Sequence, residues 1–257
     1  MPRLLVRRPS PRVAEGELTH LERSPVDAEL ALRQWRDYVA VFRDRGWEVT
    51  EVDPADEHPD GVFIEDAVVV FDGLAVLTSP GAPSRRGEID SAARAVAATG
   101  LEVARLAPPA HLDGGDVLKI GRTVYVGRGS RTNDEGIAAL GELLAPRGWR
   151  VVAVPVTRVL HLKSGVTALP DGTVLGYPPL VDDPGVFPAF QPVPEPEGVA
   201  VVVLGPSSVL LSASAPHTAE LLRERGLEVV TTPVTEFEKL EGCVTCLSVR
   251  IRDAEAS

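Results

Sequence analysis

The sequence predicts one α/β domain built from five strand–strand–helix–strand units around a pseudo-fivefold axis. Four glycines are each followed by a stretch of alternating apolar residues, which indicates a recurring motif: Gly46, Gly100, Gly148 and Gly226. A segment of helical period precedes each glycine, and two strand-like segments precede each helix when both ends of the chain are counted. Paired strands favour such a ring over a doubly wound sheet, in which single strands alternate with helices.

The composition is that of a folded protein without a disulfide framework. The 257 residues include 26 Lys and Arg against 37 Asp and Glu, for a net charge of −11, and 44% are hydrophobic, which excludes wholesale disorder. The acidic balance argues against a nucleic-acid partner and favours a cationic one. Apolar runs such as 199–204 are much shorter than the about 20 residues that cross a bilayer, and no signal-peptide pattern begins the sequence. With two cysteines, a cytoplasmic protein without a membrane partner is expected.

Amphipathic helices are predicted at 27–45, 88–99, 133–147 and 216–225, where apolar residues recur at spacings of three and four. Asn133 and Thr218 are the expected N-caps of the last two helices, and each following glycine fits a left-handed C-cap. The interval between Gly148 and Gly226 is the longest, so it should contain a unit without a clear helix. The proline-rich segment 178–198 fits that unit.

Paired strands are predicted in every unit. They lie at 62–71 and 74–78, 117–120 and 123–126, 166–169 and 174–175, and 199–204 and 209–212. The fifth unit combines 244–251 with 4–6, followed by the first helix and a strand at 47–52. Closing the ring through the two termini removes exposed sheet edges and makes 1–257 a single domain.

Equivalent positions at the starts of the units carry the candidate catalytic groups. They are Glu65 and Asp66, the Asp-Gly-Gly-Asp segment at 113–116, His161 and Cys246, and the ring should bring them to its axis. A thiol, an imidazole and carboxylates are the parts of a cysteine nucleophile with its acid/base and orienting group. Taken singly, each has a structural alternative: a buried cysteine, a hydrogen-bonded core histidine or an Asp-Gly turn. Two adjacent carboxylates in a strand otherwise fit for burial are harder to explain structurally.

The second cysteine and two arginines bear on the same chemistry. Cys243 and Cys246 have the spacing of a redox centre or of half a zinc site, but zinc takes four ligands and the sequence has no second pair. They also lie within a predicted strand rather than at a helix start, with Cys243 facing away from Cys246. Arg85 and Arg131 lie in equivalent loops, where an arginine fork can hold a carboxylate; the alternative is a solvated surface arginine.

Together these motifs resemble the dimethylarginine dimethylaminohydrolase family of the guanidino-group-modifying, or pentein, superfamily. The matching segments run in order over nearly the whole chain: PDGVFIED at 59–66, SPGAPSRRGE at 79–88, LDGGDVL at 112–118, SRTN at 130–133, LHLKS at 160–164 and EGCVTCLSV at 241–249. The resemblance implies a pentein-type α/β-propeller, in agreement with the five units counted above.

The resemblance also implies the roles of the site residues. Cys246 is the nucleophile, His161 the general acid/base and Asp113 its carboxylate partner. The other implied residues contact the substrate, carboxylates at its guanidinium or amino group and arginines at its carboxylate: Asp60, Glu65, Asp66, Arg85, Arg131, Leu240, Glu241 and, from a flexible lid at 15–27, Leu21. Glu241 stands where mammalian members have Asp, which implies a longer or rearranged contact, and Cys243 is expected to be structural. No metal or organic cofactor is implied.

The expected function is hydrolysis of free Nω-methylated arginines to citrulline and an amine through a covalent thiouronium on Cys246. One alternative is an arginine deiminase-like hydrolase acting on another guanidino substrate; such proteins carry a helical insertion for which this chain has no room. The other is a non-enzymatic pentein, which lacks the cysteine–histidine pair. A homodimer is compatible with the resemblance.

Overall fold

The computed structural model describes residues 1–252, so residues 253–257 of the expected domain lie outside the described residues. In this described part of the chain, fifteen strands form five three-stranded sheets. The strands are β1 (Arg3–Val6), β2 (Glu48–Glu51), β3 (Val68–Phe71), β4 (Leu74–Leu77), β5 (Glu102–Arg105), β6 (Val117–Ile120), β7 (Thr123–Arg128), β8 (Arg150–Pro155), β9 (Val166–Ala168), β10 (Val174–Gly176), β11 (Phe190–Pro192), β12 (Val201–Gly205), β13 (Ser208–Ser212), β14 (Glu228–Thr232) and β15 (Val249–Ile251).

Each sheet has the same topology. Its first strand pairs antiparallel with the second, and the second pairs parallel with the third, as in β3–β4–β5 and β6–β7–β8. The parallel pairing requires a crossover between the second and third strands, which is where the helices of nine or more residues lie. The fifth sheet has the order β15–β1–β2, with Arg3 opposite Ile251, so the two ends of the described chain close the ring. The predicted five-unit architecture is confirmed.

Six α-helices lie within residues 1–252. They are α1 (Ala28–Asp44), α2 (Ile89–Ala97), α3 (Asp134–Leu144), α4 (Leu162–Gly165), α5 (Pro216–Glu224) and α6 (Thr235–Glu238). Between β10 and β11 the chain forms 3₁₀ turns at Pro178–Leu180 and Pro184–Val186 instead of an α-helix, as the proline content of this segment predicts. Within residues 1–252, four of the five crossovers therefore contain an α-helix.

The ends of the helices follow the sequence with one exception. Asn133 Oδ1 accepts a hydrogen bond from the Gly136 amide at 2.8 Å, so the predicted cap of α3 is confirmed. The prediction for Thr218 is wrong: Pro216 begins α5, and the Thr218 hydroxyl, inside the first turn, donates to Glu195 at 3.0 Å. Proline has no amide hydrogen, so at the first helical position it leaves no donor without a partner. The helix therefore begins before Thr218, the residue expected to cap it.

Three first strands begin later than predicted, β12 at Val201 instead of 199 and the other two by a wider margin. The chain at 62–67 forms 3₁₀ turns and only Val68–Phe71 is strand, while β15 begins at Val249 rather than at 244. Apolar alternation cannot separate a strand from a buried turn that precedes it. As a result Glu65 and Asp66 are not strand residues with side chains on opposite faces, and both lie in one tight turn.

Helices pack outside the sheets and bury an apolar interior. In α1, Trp35, Tyr38, Val39 and Phe42 are all at most 5% exposed, which is the face predicted from their spacing. Among residues 1–252, no helix is both long and apolar enough to traverse a bilayer. The turns before the first strands lie at the axis.

Candidate active site

Short turns before the first strands bring the candidate catalytic residues together. They are the 3₁₀ turns Ile64–Ala67 and Gly114–Asp116, helix α4 and the turn at 244–247. Hydrogen bonds join neighbouring turns: the Glu65 amide donates to the Cys246 carbonyl at 3.2 Å, and the Gly115 amide donates to Asp66 Oδ1 at 2.8 Å. The ring thus converts positions far apart in sequence into one site.

The glycines of the Asp-Gly-Gly-Asp segment are needed for this close approach. A β-carbon at Gly115 would lie 2.7 Å from both Asp66 Oδ1 and His161 Nδ1, and one at Gly114 would collide with the Glu65 carbonyl oxygen. Any larger residue would therefore push the turns apart. The segment is a packing element of the site as well as a turn.

Cys246 is 7% exposed, and its amide donates to the Cys243 carbonyl at 3.1 Å. The two sulfur atoms are 3.3 Å apart. The expectation that Cys243 faces away from Cys246 is therefore wrong, because the segment is a turn and not a strand. The hydrogen bond with Cys243, burial, and the charges of Glu65 and Asp66 raise the pKa of the Cys246 thiol, which is protonated at neutral pH in this arrangement.

His161 lies between two carboxylates. Its Nε2 is 3.0 Å from Asp113 Oδ2, and its Nδ1 is 3.8 Å from Asp66 Oδ1. Burial alone would lower the pKa of His161, but the Asp66 charge and the Asp113 hydrogen bond outweigh it and raise that pKa to about 9. The imidazole is therefore protonated at neutral pH and can serve as an acid.

Asp113 and Asp116 hold the segments around the His161 imidazole in place through hydrogen bonds. Asp113 is fully buried and its second oxygen accepts from the Gly81 amide at 3.0 Å. Asp116 accepts from the Leu162 amide, next to His161, at 2.9 Å and from the Thr132 hydroxyl at 2.6 Å. Burial raises the pKa of Asp116 to about 6. These contacts fix the backbone on both sides of the imidazole.

Arg85 is more deeply engaged than a free carboxylate-binding arginine. Its guanidinium contacts Asp66 at 2.6 Å and Glu88 at 2.8 Å, and it also donates to the main-chain carbonyls of Asp60 and Phe63. The charge of Arg85 contributes, after that of His161, to a pKa of about 2 for Asp66 despite its burial. Asp66 is therefore ionised at neutral pH, and it lines the cavity beside Cys246.

Glu65 has one engaged and one unengaged oxygen. Its Oε1 contacts Lys163 Nζ at 2.6 Å and also the Arg250 guanidinium. Its Oε2 is buried and has no hydrogen-bond partner within residues 1–252. A buried carboxylate oxygen without a partner is costly unless a ligand supplies the donor.

Arg131 is 9% exposed, and its partner comes from the segment expected to be the lid. Glu17 Oε2 lies 3.0 Å from Arg131, and Glu17 Oε1 accepts from the Ser84 hydroxyl. The Glu17 amide donates to Asp60 Oδ2 at 3.1 Å, and burial raises the pKa of Asp60. Residues 16–27 form neither helix nor strand and cross the site.

Glu241 also holds this segment. Its carboxylate accepts from the amides of Thr19, His20 and Leu21 at 2.9, 2.5 and 3.0 Å. Both of its oxygens are thereby used by the lid backbone. The rearranged contact expected at this position is thus a contact with the lid.

Two adjoining cavities flank residues 240–246. The cavity lined by Cys246 and Leu240 has a volume of about 20 Å³. It has room for no more than one or two water molecules. Its other lining residues include Asp60, Asp66, Arg85, Arg131, His161, Glu17 and Glu241. The larger cavity, about 340 Å³, is lined by Leu21 and Cys243. Glu65 lines neither; its carboxylate faces the other end of the axis.

Asp66, Asp113 and His161 are the described residues whose geometry could hold a metal ion, with ligand atoms within 4.8 Å of one another. Each is already engaged: Asp66 by Arg85 and Gly115, and Asp113 by Gly81 and the imidazole. A metal would have to displace a buried guanidinium and the imidazole proton. The group fits acid–base chemistry better than metal binding.

Sequence reasoning missed Glu17, Lys163, Arg250 and the role of Asp116. Asp116 and Lys163 carried a signal, since they lie within the segments 112–118 and 160–164. Glu17 carried none, because a loop that docks on a distant arginine has no periodicity. Its contact with Arg131 depends on the closed ring.

A ring of five such units with cysteine, histidine and carboxylates on its axis defines a pentein-type α/β-propeller. No protein-family model matches the chain. A relative from Streptomyces coelicolor named N(G),N(G)-dimethylarginine dimethylaminohydrolase is 61% identical, over 97% of this chain and 96% of that protein. One of the same name from Pseudomonas aeruginosa is 31% identical, over 96% and 98%. The chain belongs to the dimethylarginine dimethylaminohydrolase family.

Solved structures agree with this assignment. A cysteine-to-serine variant of the Pseudomonas aeruginosa enzyme in complex with citrulline has a TM-score of 0.90, with 29% identity over 97% of this chain and 98% of that chain. A histidine-to-glycine variant of a dimethylarginine dimethylaminohydrolase, as an adduct with S-methyl-L-thiocitrulline, also has a TM-score of 0.90, with 28% identity over 98% and 100%.

Proposed function

We propose that this protein hydrolyses Nω-methylated arginines to citrulline and methylamine or dimethylamine. The observation that carries the proposal is the junction of the Cys246 turn with the His161–Asp113 pair and the ionised Asp66. The names of the relatives, and the citrulline and thiocitrulline bound to two structural neighbours, point to the same substrate class.

The proposed binding mode uses the charges of the site. Asp66 binds the cationic guanidinium and holds its central carbon beside the Cys246 sulfur. Glu65, expected from the resemblance to share this contact, lines a different cavity and takes no part in this binding mode. Arg131, with Arg85 behind it, holds the substrate carboxylate, and Asp60 faces the amino group. Leu240, Glu241 and Leu21 enclose the substrate from the lid side.

The lid contact suggests how the substrate enters. The Glu17 carboxylate occupies Arg131 in the closed lid, in the place where a substrate carboxylate would bind. We infer that the substrate displaces Glu17 and that residues 16–27 open to admit it, since the cavity of about 20 Å³ is too small for an amino acid.

Chemistry begins when the bound cation offsets the charges that keep the Cys246 thiol protonated, and the thiol releases its proton to solvent because His161 is already protonated. The thiolate attacks the guanidinium carbon, and the protonated His161 delivers its proton to the departing amine. The resulting thiouronium has lost one amine and remains attached to sulfur. Water, deprotonated by His161, attacks the same carbon; the thiolate then leaves and citrulline forms. Asp113 and Asp66 stabilise the imidazolium before the first step and after the second.

The decisive experiment measures citrulline formed from asymmetric dimethylarginine, monomethylarginine and arginine. We expect dimethylarginine to exceed arginine in kcat/KM by at least about tenfold, the low end of what one or two methyl groups contribute to discrimination. Cys246→Ser should abolish turnover, whereas Cys243→Ser should retain most of it. Equal or faster turnover of arginine would favour a deiminase with the same mechanism, and an inactive Cys243→Ser variant would contradict the choice of nucleophile.

We also propose that the whole chain acts as one domain, in a reducing compartment such as the cytoplasm, where Cys246 stays a free thiol. A homodimer belongs to the same proposal, because β5 ends its sheet with an exposed edge that carries Val103. Light scattering tests the dimer, and a monomeric mass at micromolar concentration would contradict it.

A further inference from the structure

The two cysteines of the chain are placed for a reaction with each other. Their sulfur atoms are 3.3 Å apart, and the Cys246 amide donates to the Cys243 carbonyl at 3.1 Å. A hydrogen bond across four residues keeps the two α-carbons within about 7 Å. That α-carbon separation is compatible with a disulfide. The sulfur atoms of a disulfide are about 2.05 Å apart, so side-chain rotations that bring the two sulfur atoms about 1.2 Å closer would suffice.

The surroundings make Cys243 the sulfur that an oxidant meets first. Cys243 is partly exposed and lines the cavity of about 340 Å³, whereas Cys246 lines the cavity of about 20 Å³. Hydrogen bonds from the Cys246 thiol and the Thr245 hydroxyl, each 3.3 Å long, lower the pKa of Cys243. A thiolate is the form of cysteine that reacts with peroxides.

We propose that Cys243 and Cys246 are a reversible oxidation site, at which hydrogen peroxide converts the two thiols into an intramolecular disulfide. The Cys243 thiolate attacks peroxide, which forms a sulfenic acid and releases hydroxide. The Cys246 sulfur then attacks that sulfenic sulfur, its proton leaves with the departing oxygen, and water is released. Two thiols lose two electrons, and one peroxide becomes two waters.

Such a site has a consequence for the catalytic thiol. The disulfide removes the nucleophile, so activity stops, but it also prevents irreversible oxidation of Cys246 to sulfinic acid. A thiol reductant restores both groups. The loss of activity rests on the proposed function, whereas disulfide formation does not.

The test compares the reduced wild type with Cys243→Ser and Cys243→Ala after equal exposure to hydrogen peroxide. Intact mass and alkylation with iodoacetamide report the sulfur chemistry, and citrulline formation is measured relative to each untreated protein. The wild type should lose two hydrogens and both alkylation sites, and dithiothreitol should restore them together with most of the activity. The variants should gain oxygen at Cys246 instead and recover little activity.

Several results would overturn the proposal. They are a wild type that gains oxygen atoms, one that keeps both thiols while activity falls, or one that forms a disulfide between two chains. The proposal would also be overturned if dithiothreitol restored the activity of Cys243→Ser to the same extent as that of the wild type. If the variants do not fold, as judged by circular dichroism, the mass change of the wild type alone decides. If the reduced, untreated wild type is inactive but still forms the disulfide with hydrogen peroxide, the proposed function is refuted and this inference stands.

Discussion

The contact between Asp113 and His161 allows a quantitative prediction for Asp113→Asn. Moving the pKa of His161 from 6.5 to about 9 corresponds to roughly 3 kcal/mol of preference for the protonated imidazole. The charge of Asp66 is the largest single favourable cause, and Asp113 contributes both through the 3.0 Å hydrogen bond and through its charge. If Asp113 supplies roughly a third, about 1 kcal/mol, its neutral replacement lowers the pKa of His161 by a little under one unit.

The assay is the pH dependence of kcat/KM for dimethylarginine, measured as citrulline formed. The protonated His161 donates to the departing amine, so activity should fall as the pH rises through the pKa of His161, near 9 in the wild type. In Asp113→Asn this alkaline limb should move to about 8. Asp113→Glu keeps the charge and should leave the limb closer to its wild-type position. An Asp113→Asn profile reduced equally at every pH, with its alkaline limb unmoved, would refute the reasoning.

Substitutions at three residues test the remaining parts of the site. With S-methyl-L-thiocitrulline, whose thiolate leaving group departs without a proton from His161, His161→Gly should accumulate a thiouronium adduct, detected by intact mass, because no base activates the water of the second step; full activity in His161→Ala would rule out this role. Arg131→Ala should raise KM with little change in kcat, since it removes binding common to the ground and transition states, and a selective loss of kcat would argue otherwise. Glu17→Gln should lower KM by about two- to fivefold, because a partly exposed ion pair that competes with substrate is worth about 0.5–1 kcal/mol; a raised KM would mean that Glu17 helps to hold the substrate.

The repeat made most of the fold predictable. Four glycines each adopt positive φ, from 74° to 84°: Gly46, Gly100, Gly148 and Gly226. They therefore mark in the structure the same boundary between helix and strand that they mark in the sequence. The turns before β3 and β15 were not predictable, because buried turns and buried strands share the same apolar composition. Those turns are where Glu65, Asp66 and Cys246 lie.

For the site, the repeat predicts which residues lie at the axis but not how their side chains are oriented. Axial positions follow from the period, so Asp113, His161 and Cys246 could be grouped without a structure. Side-chain orientation does not follow from it: Cys243 touches Cys246, and Glu241 binds the lid backbone. The lid itself has no period, and its docking through Glu17 is a tertiary contact.

The pairing of β1 with β15 has a consequence for how the protein reaches its working state. Arg3 and Ile251 lie at opposite ends of the described chain, and contacts of such sequence separation carry the greatest loop-closure entropy. They are therefore expected to form late in folding, after the local hairpins. The Cys246 turn leads directly into β15, and its carbonyl is bound by Glu65 from the neighbouring unit. Incompletely folded chains would then hold an oriented imidazole but no positioned sulfur, so catalytic competence would arise only at ring closure.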